Sequence, residues 1–249
     1  MLYDINNSSV ENVYKFNGDL CSTVYDFWGN LIQKRITSFC VLGDSYSTFV
    51  GYTDPVTNNQ YYPTTDETTE GYGYDIDVLS VDQTWWKLFE SEYGVTLLQN
   101  NSFSGSPICY DGYGTGTSDA IEKSFVTRSN NLKDADLILV FGATNDSWIG
   151  VTIGDYVYSD WTEDQLTNFR PALACMLNNI KTQHPNSQIV FMQNTLLKDT
   201  IIESIATICA YYNVPVLELA DISKVNGHPD SAGMIAIKDQ LISFLDTVI

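Results

Sequence analysis

The sequence predicts an α/β protein, a three-layer α/β/α sandwich in which helices cover both faces of a parallel sheet of about five strands. Short apolar runs rich in β-preferring residues alternate with segments of helical periodicity, which is typical of parallel βα units. A chain of 249 residues with 44% hydrophobic residues can bury one sizeable core, and no Pro-rich or Gly/Ser-rich linker divides it. The alternation starts at Ile36. We therefore expect one main domain over residues 36–249 and a small β appendage over residues 1–35, packed on the side of the main domain.

The elements follow in a regular order. The run from Ile36 to Leu42 is short and apolar, as expected of a strand covered on both faces, and Gly43 then allows a sharp turn. Further strands are predicted at 95–98, 136–141, 188–193 and 214–219, and helices at 83–93, 163–183, 200–212 and in a last segment ending near 245. This order favours a flavodoxin-like sheet. Such sheets carry their chemistry at the carboxyl ends of the strands.

The first strand ends in a turn, Gly43-Asp44-Ser45, that presents a serine hydroxyl. A nucleophilic serine needs a base, and the chain has only two histidines. His228 lies in a Gly/Pro/Asp-rich loop just before the last helix, where a base is expected. His184 precedes a strand and is predicted to cap a helix.

Two more strands end in polar turns that contain glycine. Residues 101–105 read Asn-Ser-Phe-Ser-Gly, and residues 142–146 read Gly-Ala-Thr-Asn-Asp. With the Gly-Asp-Ser turn and the Gly-His-Pro of the last loop, these four blocks stand in an order that resembles the SGNH hydrolases, also called the GDSL esterase/lipase family. The resemblance spans roughly Ile36 to Phe244.

The resemblance implies a serine esterase of the SGNH hydrolase fold. Ser45 would be the nucleophile and His228 the general base. The backbone N–H groups of Ser45 and Gly105 and the side-chain N–H of Asn145 would form the oxyanion hole. This is the arrangement that acyl transfer requires, since fixed donors stabilise the charge that develops on the carbonyl oxygen.

Two positions depart from the family pattern. Ala143 stands where the family usually has glycine, a mild change unless the backbone there needs a positive φ. Val225 stands where the family usually has the third triad residue, an aspartate three residues before the histidine. Asp221 and Asp230 are the nearest replacements in sequence. We favour a Ser-His dyad in which a backbone carbonyl, that of Val225 or a neighbour, orients His228.

The chain is rich in aromatic residues, with five tryptophans and sixteen tyrosines. Many lie in loops near the expected site, where rings with polar tips suit stacking on sugars. The competing interpretation is that they pack long loops onto the sheet. Tyr46, Trp148 and Tyr110 are the predicted substrate contacts among the loop aromatics, which are Tyr46, Tyr52, Tyr61, Tyr62, Tyr110, Tyr113, Trp148, Tyr156, Tyr158 and Trp161.

Composition excludes several partners and cofactors. A formal net charge of −19 opposes binding to nucleic acid or an anionic membrane, and the chain has no apolar run long enough for a transmembrane helix. With two histidines and no calcium-loop pattern, no metal or other cofactor is predicted. The five cysteines show no paired spacing and are predicted to be mainly buried free thiols: Cys21, Cys40, Cys109, Cys175 and Cys209.

The sequence thus predicts a metal-independent serine esterase that removes short acyl groups, chiefly acetyl, from a carbohydrate or glycoconjugate. Two alternatives stay open: a lipase or thioesterase of the same fold, and a glycan-binding protein that lost catalysis with the triad acid. The first residues lack the basic and apolar regions of a signal peptide. Both a cytoplasmic protein and a secreted one whose signal peptide is missing fit the sequence, and the oligomeric state is open.

Overall fold

The computed structural model describes residues 36–63, 77–112 and 118–248, together with four two-residue strands before residue 36. The chain divides into one unit over residues 1–35 and a second over Ile36–Val248. Within the first unit, two antiparallel strand pairs are described, Lys15–Phe16 with Asp19–Leu20 and Val24–Tyr25 with Leu31–Ile32. The packing of this segment on the main domain stays a prediction.

The second unit is built on a five-stranded parallel sheet with the order β2-β1-β3-β4-β5. This is the flavodoxin-like order, and it confirms the predicted fold class. A separate antiparallel hairpin, β6-β7, follows the sheet. The strands are β1 (Ser38–Gly43), β2 (Thr96–Ser102), β3 (Leu137–Gly142), β4 (Gln188–Gln193), β5 (Val216–Glu218), β6 (Lys224–Val225) and β7 (His228–Pro229).

Helices cover both faces of the sheet. On one face, Phe39 of β1 and Phe141 of β3 meet rings of α1, with Phe39 5.1 Å from Phe89 and Phe141 5.9 Å from Trp85 between centroids. On the other face, Val140 shares one buried cluster with side chains of α6 and α7. The α-helices are α1 (Trp85–Tyr93), α2 (Ser118–Lys123), α3 (Phe125–Arg128), α4 (Thr144–Ile149), α5 (Glu163–Leu166), α6 (Phe169–Gln183), α7 (Asp199–Tyr211) and α8 (Ser231–Val248).

The helix predicted at 163–183 is two helices, α5 and α6, and the single-helix prediction was wrong. Pro171 lacks an N–H and its ring would clash with the carbonyl of Thr167, so a helix cannot run through both. The chain instead turns at Asn168, which takes extended angles (φ −101°, ψ 146°) before α6 begins.

Strand β2 is longer than predicted. Its pairing with β1 continues until Gly43 lies beside Ser102, so Asn101 and Ser102 belong to the strand rather than to the turn. Two of the polar side chains donate hydrogen bonds to backbone carbonyls: Asn100 Nδ2 to that of Ser47 at 2.8 Å and Asn101 Nδ2 to that of Arg128 at 3.3 Å. These bonds allow a polar sequence to continue as a buried strand.

Candidate active site

Ser45 lies in the turn that follows β1, at the carboxyl edge of the sheet. It begins a three-residue 3₁₀ turn, which the Asp44 side chain caps by accepting a hydrogen bond from the Tyr46 N–H at 3.0 Å. A Cβ on Gly43 would lie 2.5 Å from Ser102 Oγ, so only glycine fits before the turn. Ser45 is 3% exposed, and its hydroxyl is therefore held in one place by the packing around it.

His228 is carried by the β6-β7 hairpin. Asn226 and Gly227 form its two-residue turn, with φ values of 49° and 77°. Positive φ at both positions is the signature of a type I′ turn, for which Asn-Gly is a preferred sequence. Val225 and His228 pair directly across the hairpin. The segment that was expected to be a loop is therefore a short antiparallel hairpin, and its Asn-Gly turn is typical of such hairpins.

The imidazole of His228 lies within hydrogen-bonding distance of the serine. Nε2 is 2.9 Å from Ser45 Oγ, and Nδ1 is 3.2 Å from the Asn226 carbonyl oxygen. A proton on Nδ1 satisfies both contacts, because the ring then donates to Asn226 and accepts from the hydroxyl. Burial lowers the pKa of His228 to about 4, Asn226 opposes that change, and the nearby Lys224 charge adds to it. The imidazole is thus a free base at neutral pH.

Neither candidate carboxylate is a hydrogen-bond partner of His228. Asp221 is exposed and lies beyond the end of β5. Asp230 accepts hydrogen bonds from Ser223 Oγ at 2.6 Å and from the Gly233 N–H at 2.8 Å, so it caps α8. The geometry fits a dyad oriented by a carbonyl, and that carbonyl is the one on Asn226.

Of the predicted oxyanion donors, Gly105 lies in the loop after β2 and Asn145 lies at the start of α4. Gly105 has a φ of +77°, and a Cβ there would have no atom within 4 Å, so its backbone faces open space. Asn145 is near the start of α4, is 2% exposed, and donates one side-chain N–H to the Ser106 carbonyl at 3.0 Å. The amide of Asn145 is therefore locked beside the Gly105 loop, with a second N–H remaining for a ligand.

Asp146 fixes the loop that follows Gly105. Its fully buried carboxylate accepts hydrogen bonds from the Ile108 N–H at 2.9 and 3.0 Å and from the Cys109 N–H at 3.3 Å. Burial raises the pKa of Asp146 to about 6, although these N–H groups oppose the change. The sequence analysis assigned Asp146 no role, and its position directly after Asn145 was the available signal.

Arg128 is a second residue that the sequence analysis missed. Its buried guanidinium donates to the Gly43 carbonyl at 3.1 Å, to Ser106 Oγ at 2.7 Å and to the Asn101 carbonyl. It thereby ties the ends of β1 and β2 to the Gly105 loop. Burial lowers the pKa of Arg128 to about 9, and the charge of Asp44 opposes this. Nothing in the local sequence distinguishes this arginine from a surface one.

Ala143 takes a left-handed conformation, with a φ of 72°. The expectation that alanine is harmless here depended on a negative φ, and the structure does not meet that condition. Alanine is strained in this region because its Cβ crowds the backbone. The preceding Gly142 is required for a different reason, since a Cβ there would lie 2.6 Å from the Phe125 ring.

The predicted substrate contacts differ in their surroundings. Tyr46 is 1% exposed and its hydroxyl donates to the Gly227 carbonyl, so it supports the site from behind and its predicted contact with substrate does not fit this burial. Trp148 is 46% exposed and its ring centroid lies 5.7 Å from that of His228, at the mouth of the site. Tyr110 is partly buried and packs on the core.

A cavity of about 760 Å³ lies beside the Gly105 loop. Two of its lining residues reach that loop: the Asn59 carbonyl accepts a hydrogen bond from the Ser104 N–H at 2.8 Å, and Phe103 precedes Ser104. Ser45, Gly105, Asn145 and His228 are not among the residues that line it. Its lining includes the amide side chains of Asn58, Asn59, Gln99, Asn101 and Asn131.

The second histidine, His184, caps a helix, as predicted. His184 ends α6, with its N–H donating to the Ile180 carbonyl at 2.8 Å and its Nδ1 2.7 Å from Asp134 Oδ1. The described cysteines are free and buried: Cys40, Cys109, Cys175 and Cys209. Cys21 and Tyr113 lie outside the described residues.

The described residues contain no group of three or more His, Cys, Asp or Glu side chains placed to hold a metal ion. None of the helices in this part of the chain combines the length and apolarity that crossing a membrane requires.

Comparisons with known proteins found a matching family model and similar solved structures. The family model described as GDSL-like Lipase/Acylhydrolase matches residues 37–245. A crystal structure named as a GDSL-like lipase from Bacteroides ovatus is 42% identical over 86% of this chain and 100% of its own, with a TM-score of 0.80. A second, from Bacteroides uniformis, is 38% identical over 86% of this chain and 98% of its own, with a TM-score of 0.79.

A more distant structure shares the fold alone. It is a family two carbohydrate esterase from Clostridium thermocellum, 11% identical over 88% of this chain and 67% of its own, with a TM-score of 0.54. The comparison with curated proteins found no match.

Proposed function

The chain belongs to the GDSL-like lipase/acylhydrolase family and is a serine ester hydrolase, and from this premise we propose that Ser45 and His228 hydrolyse short-chain esters, chiefly acetyl esters, on a carbohydrate or glycoconjugate. The observation that carries the proposal is the 2.9 Å contact between His228 Nε2 and Ser45 Oγ. With Gly105 and Asn145 as the proposed oxyanion donors, this contact supports a site that has a nucleophile, a base and a means of stabilising charge.

In the first half of the reaction, Ser45 Oγ attacks the ester carbonyl carbon while His228 Nε2 takes the hydroxyl proton. The carbonyl π electrons move to the oxygen, and the N–H groups of Ser45, Gly105 and Asn145 stabilise the resulting oxyanion. When the tetrahedral intermediate collapses, the bond to the alcohol oxygen breaks and His228 returns its proton to that oxygen. The acyl group stays on Ser45.

In the second half, a water molecule attacks the acyl-enzyme with His228 again as the base. The bond between Ser45 Oγ and the acyl carbon breaks, the serine regains a proton from His228, and the carboxylic acid leaves. No metal or cofactor takes part in either step as we propose it.

The preference for acetyl esters of sugars follows from the surroundings of the site. Trp148 offers an exposed ring beside the catalytic pair, and such rings stack on sugar faces.

Replacement of the nucleophile tests the mechanism. Ser45→Ala should lower kcat for p-nitrophenyl acetate by at least about 10³, because only binding and oxyanion stabilisation remain. Ser91→Ala, on the exposed face of α1, is the matched control. Turnover by the folded Ser45→Ala protein within tenfold of wild type would refute the assignment.

The substrate proposal is tested separately, with acetylated sugars and p-nitrophenyl esters of increasing chain length. We expect kcat/KM to be highest for acetyl esters. Equal kcat/KM for acetate and decanoate esters would support the lipase alternative. The glycan-binding alternative predicts that a fluorophosphonate leaves Ser45 unlabelled in the folded protein, as read by intact mass.

A further inference from the structure

The ring of His228 is enclosed by aromatic side chains. Tyr61 lies face to face with it, at a centroid distance of 3.6 Å and an interplanar angle of 10°. Trp148 and Tyr62 lie almost perpendicular to the imidazole, with centroids at 5.7 and 6.5 Å, and Tyr46 is tilted at 5.2 Å. The stacked Tyr61 ring thus defines the plane in which the imidazole is held.

Two of these tyrosines also fix the backbone on either side of the histidine. Tyr46 donates its hydroxyl to the Gly227 carbonyl, and Tyr62 donates its hydroxyl to the Pro229 carbonyl at 2.7 Å. Burial raises the pKa of both tyrosines, so both hydroxyls stay protonated donors. His228 is therefore clamped by its ring face and by the peptide groups before and after it.

The reaction requires that a positive charge on His228 be stabilised, and the aromatic rings around the imidazole can contribute to this. His228 gains a proton, and a positive charge, when Ser45 attacks the ester. In the usual triad an aspartate stabilises that charge, but the partners of the ring nitrogens here are the Asn226 carbonyl and Ser45. The nearby Lys224 charge disfavours a second positive charge. An aromatic face carries partial negative charge and attracts a cation lying over it.

We infer that Tyr61 is a positioning residue for His228 and takes over part of the role of the missing triad acid. Its ring face holds the imidazole in the orientation that receives the Ser45 proton, and it stabilises the imidazolium formed in the transition state. This inference rests on the proposed function and goes beyond it.

Removal of the ring should slow the chemical step more than it weakens binding. For Tyr61→Leu we expect kcat for p-nitrophenyl acetate to fall about 5- to 30-fold, the range that cation–π attraction supports, with KM changed less than about twofold. Tyr61→Phe keeps the ring face and should retain at least about half of kcat. Tyr211→Leu is the matched control, because it removes an equally close stack, 3.9 Å from Tyr158, away from the site.

A graded series separates the charge effect from packing. Mono-, di- and trifluorinated phenylalanine at position 61 keep the shape of the ring and progressively weaken its negative face. We expect kcat to fall stepwise along this series while the melting temperature stays constant. The series also decides the question if Tyr61→Leu does not fold. A constant kcat across it would overturn the inference.

Nuclear magnetic resonance gives a direct reading of the stack, since the chain has only two histidines. The ring protons of His228 should be shifted upfield in wild type and Tyr61→Phe and should lose that shift in Tyr61→Leu, with His184 unchanged. Full activity of Tyr61→Leu would refute the inferred role of Tyr61 and would leave the proposed function untouched. Full activity of Ser45→Ala in the same assays would refute the proposed function itself.

Discussion

At the scale of single residues, the imidazole of His228 is oriented by a group without formal charge. The Asn226 carbonyl orients the imidazole, and burial keeps it deprotonated. A carboxylate partner would raise the pKa of the histidine, whereas a carbonyl in a buried site leaves it low. The identity of the orienting group is therefore readable in the pH dependence of the reaction.

The acid limb of the pH profile is the first prediction. Because the pKa of His228 is lowered to about 4, the free base persists as the pH falls, and we expect kcat/KM for an acetyl ester to decline only near pH 4. Measurement of kcat/KM from neutral pH downward, with circular dichroism at each pH to detect unfolding, checks this. A half-maximal value near 6.5, the ordinary histidine pKa, would contradict it.

The strain at Ala143 yields the second prediction. Ala143→Gly relieves a φ of 72° and should raise the free energy of unfolding by about 1 kcal/mol. Gly142→Ala, one residue earlier, places a Cβ 2.6 Å from the Phe125 ring and should lower it by about 1–3 kcal/mol. Urea unfolding measures the free energy of unfolding of both variants. If neither value differs from that of wild type, neither the backbone angle at Ala143 nor the close packing at Gly142 affects stability.

Ser45, Gly105, Asn145 and His228 could be proposed as site residues from the sequence because each lies in or next to a recognisable turn. The sequence did not identify Arg128 or the role of Tyr61. Arg128 acts on carbonyls that lie 27 and 85 positions away in the chain, and Tyr61 stacks on a ring from another loop. Such roles arise from tertiary packing and have no local sequence pattern.

At the scale of elements, the β6-β7 hairpin determines where the base lies. The Val225-Asn226-Gly227-His228 segment carries the Asn-Gly signal of a two-residue hairpin, and the sequence analysis interpreted it as a loop. The break before α6 was also readable, from Pro171. The break was missed because the apolar periodicity of residues 163–183 was given more weight than this proline.

The hairpin register supports a third prediction, the rebuilding of a triad. Val225 and His228 are direct cross-strand partners, so an aspartate at position 225 would lie on the same face as the imidazole. Val225→Asp should raise the pKa of His228 by about 1–3 units and shift the acid limb of kcat/KM upward by a similar amount.

Val225→Asn is the matched control for this substitution, because it has the same size and no charge. The pKa of His228 can be followed by nuclear magnetic resonance, with His184 as the internal reference. An unchanged pKa in Val225→Asp would show that the side chain at position 225 does not reach the ring.

At the scale of the whole molecule, the fourth prediction follows from the division of the chain into two units. The family match begins at residue 37, and every strand of the central sheet lies after Ile36. A chain that starts at Ile36 should therefore fold alone, with a melting temperature within a few degrees of the full chain and an unchanged kcat/KM. Aggregation or loss of activity in this shortened protein would show that residues 1–35 complete the catalytic domain.

The separation of the hairpin from the central sheet has a consequence for how the enzyme loses activity. A two-stranded hairpin has little stability of its own, and this one is held by its tyrosine contacts and by Lys224 Nζ, which donates to Asn194 Oδ1 at 2.9 Å and to Thr195 Oγ1 at 2.6 Å. Its opening would remove the base from the serine while the sheet stays folded. The fraction of active molecules is then set by a local opening equilibrium rather than by global unfolding, and inactivation by heat or urea precedes the melting of the sheet.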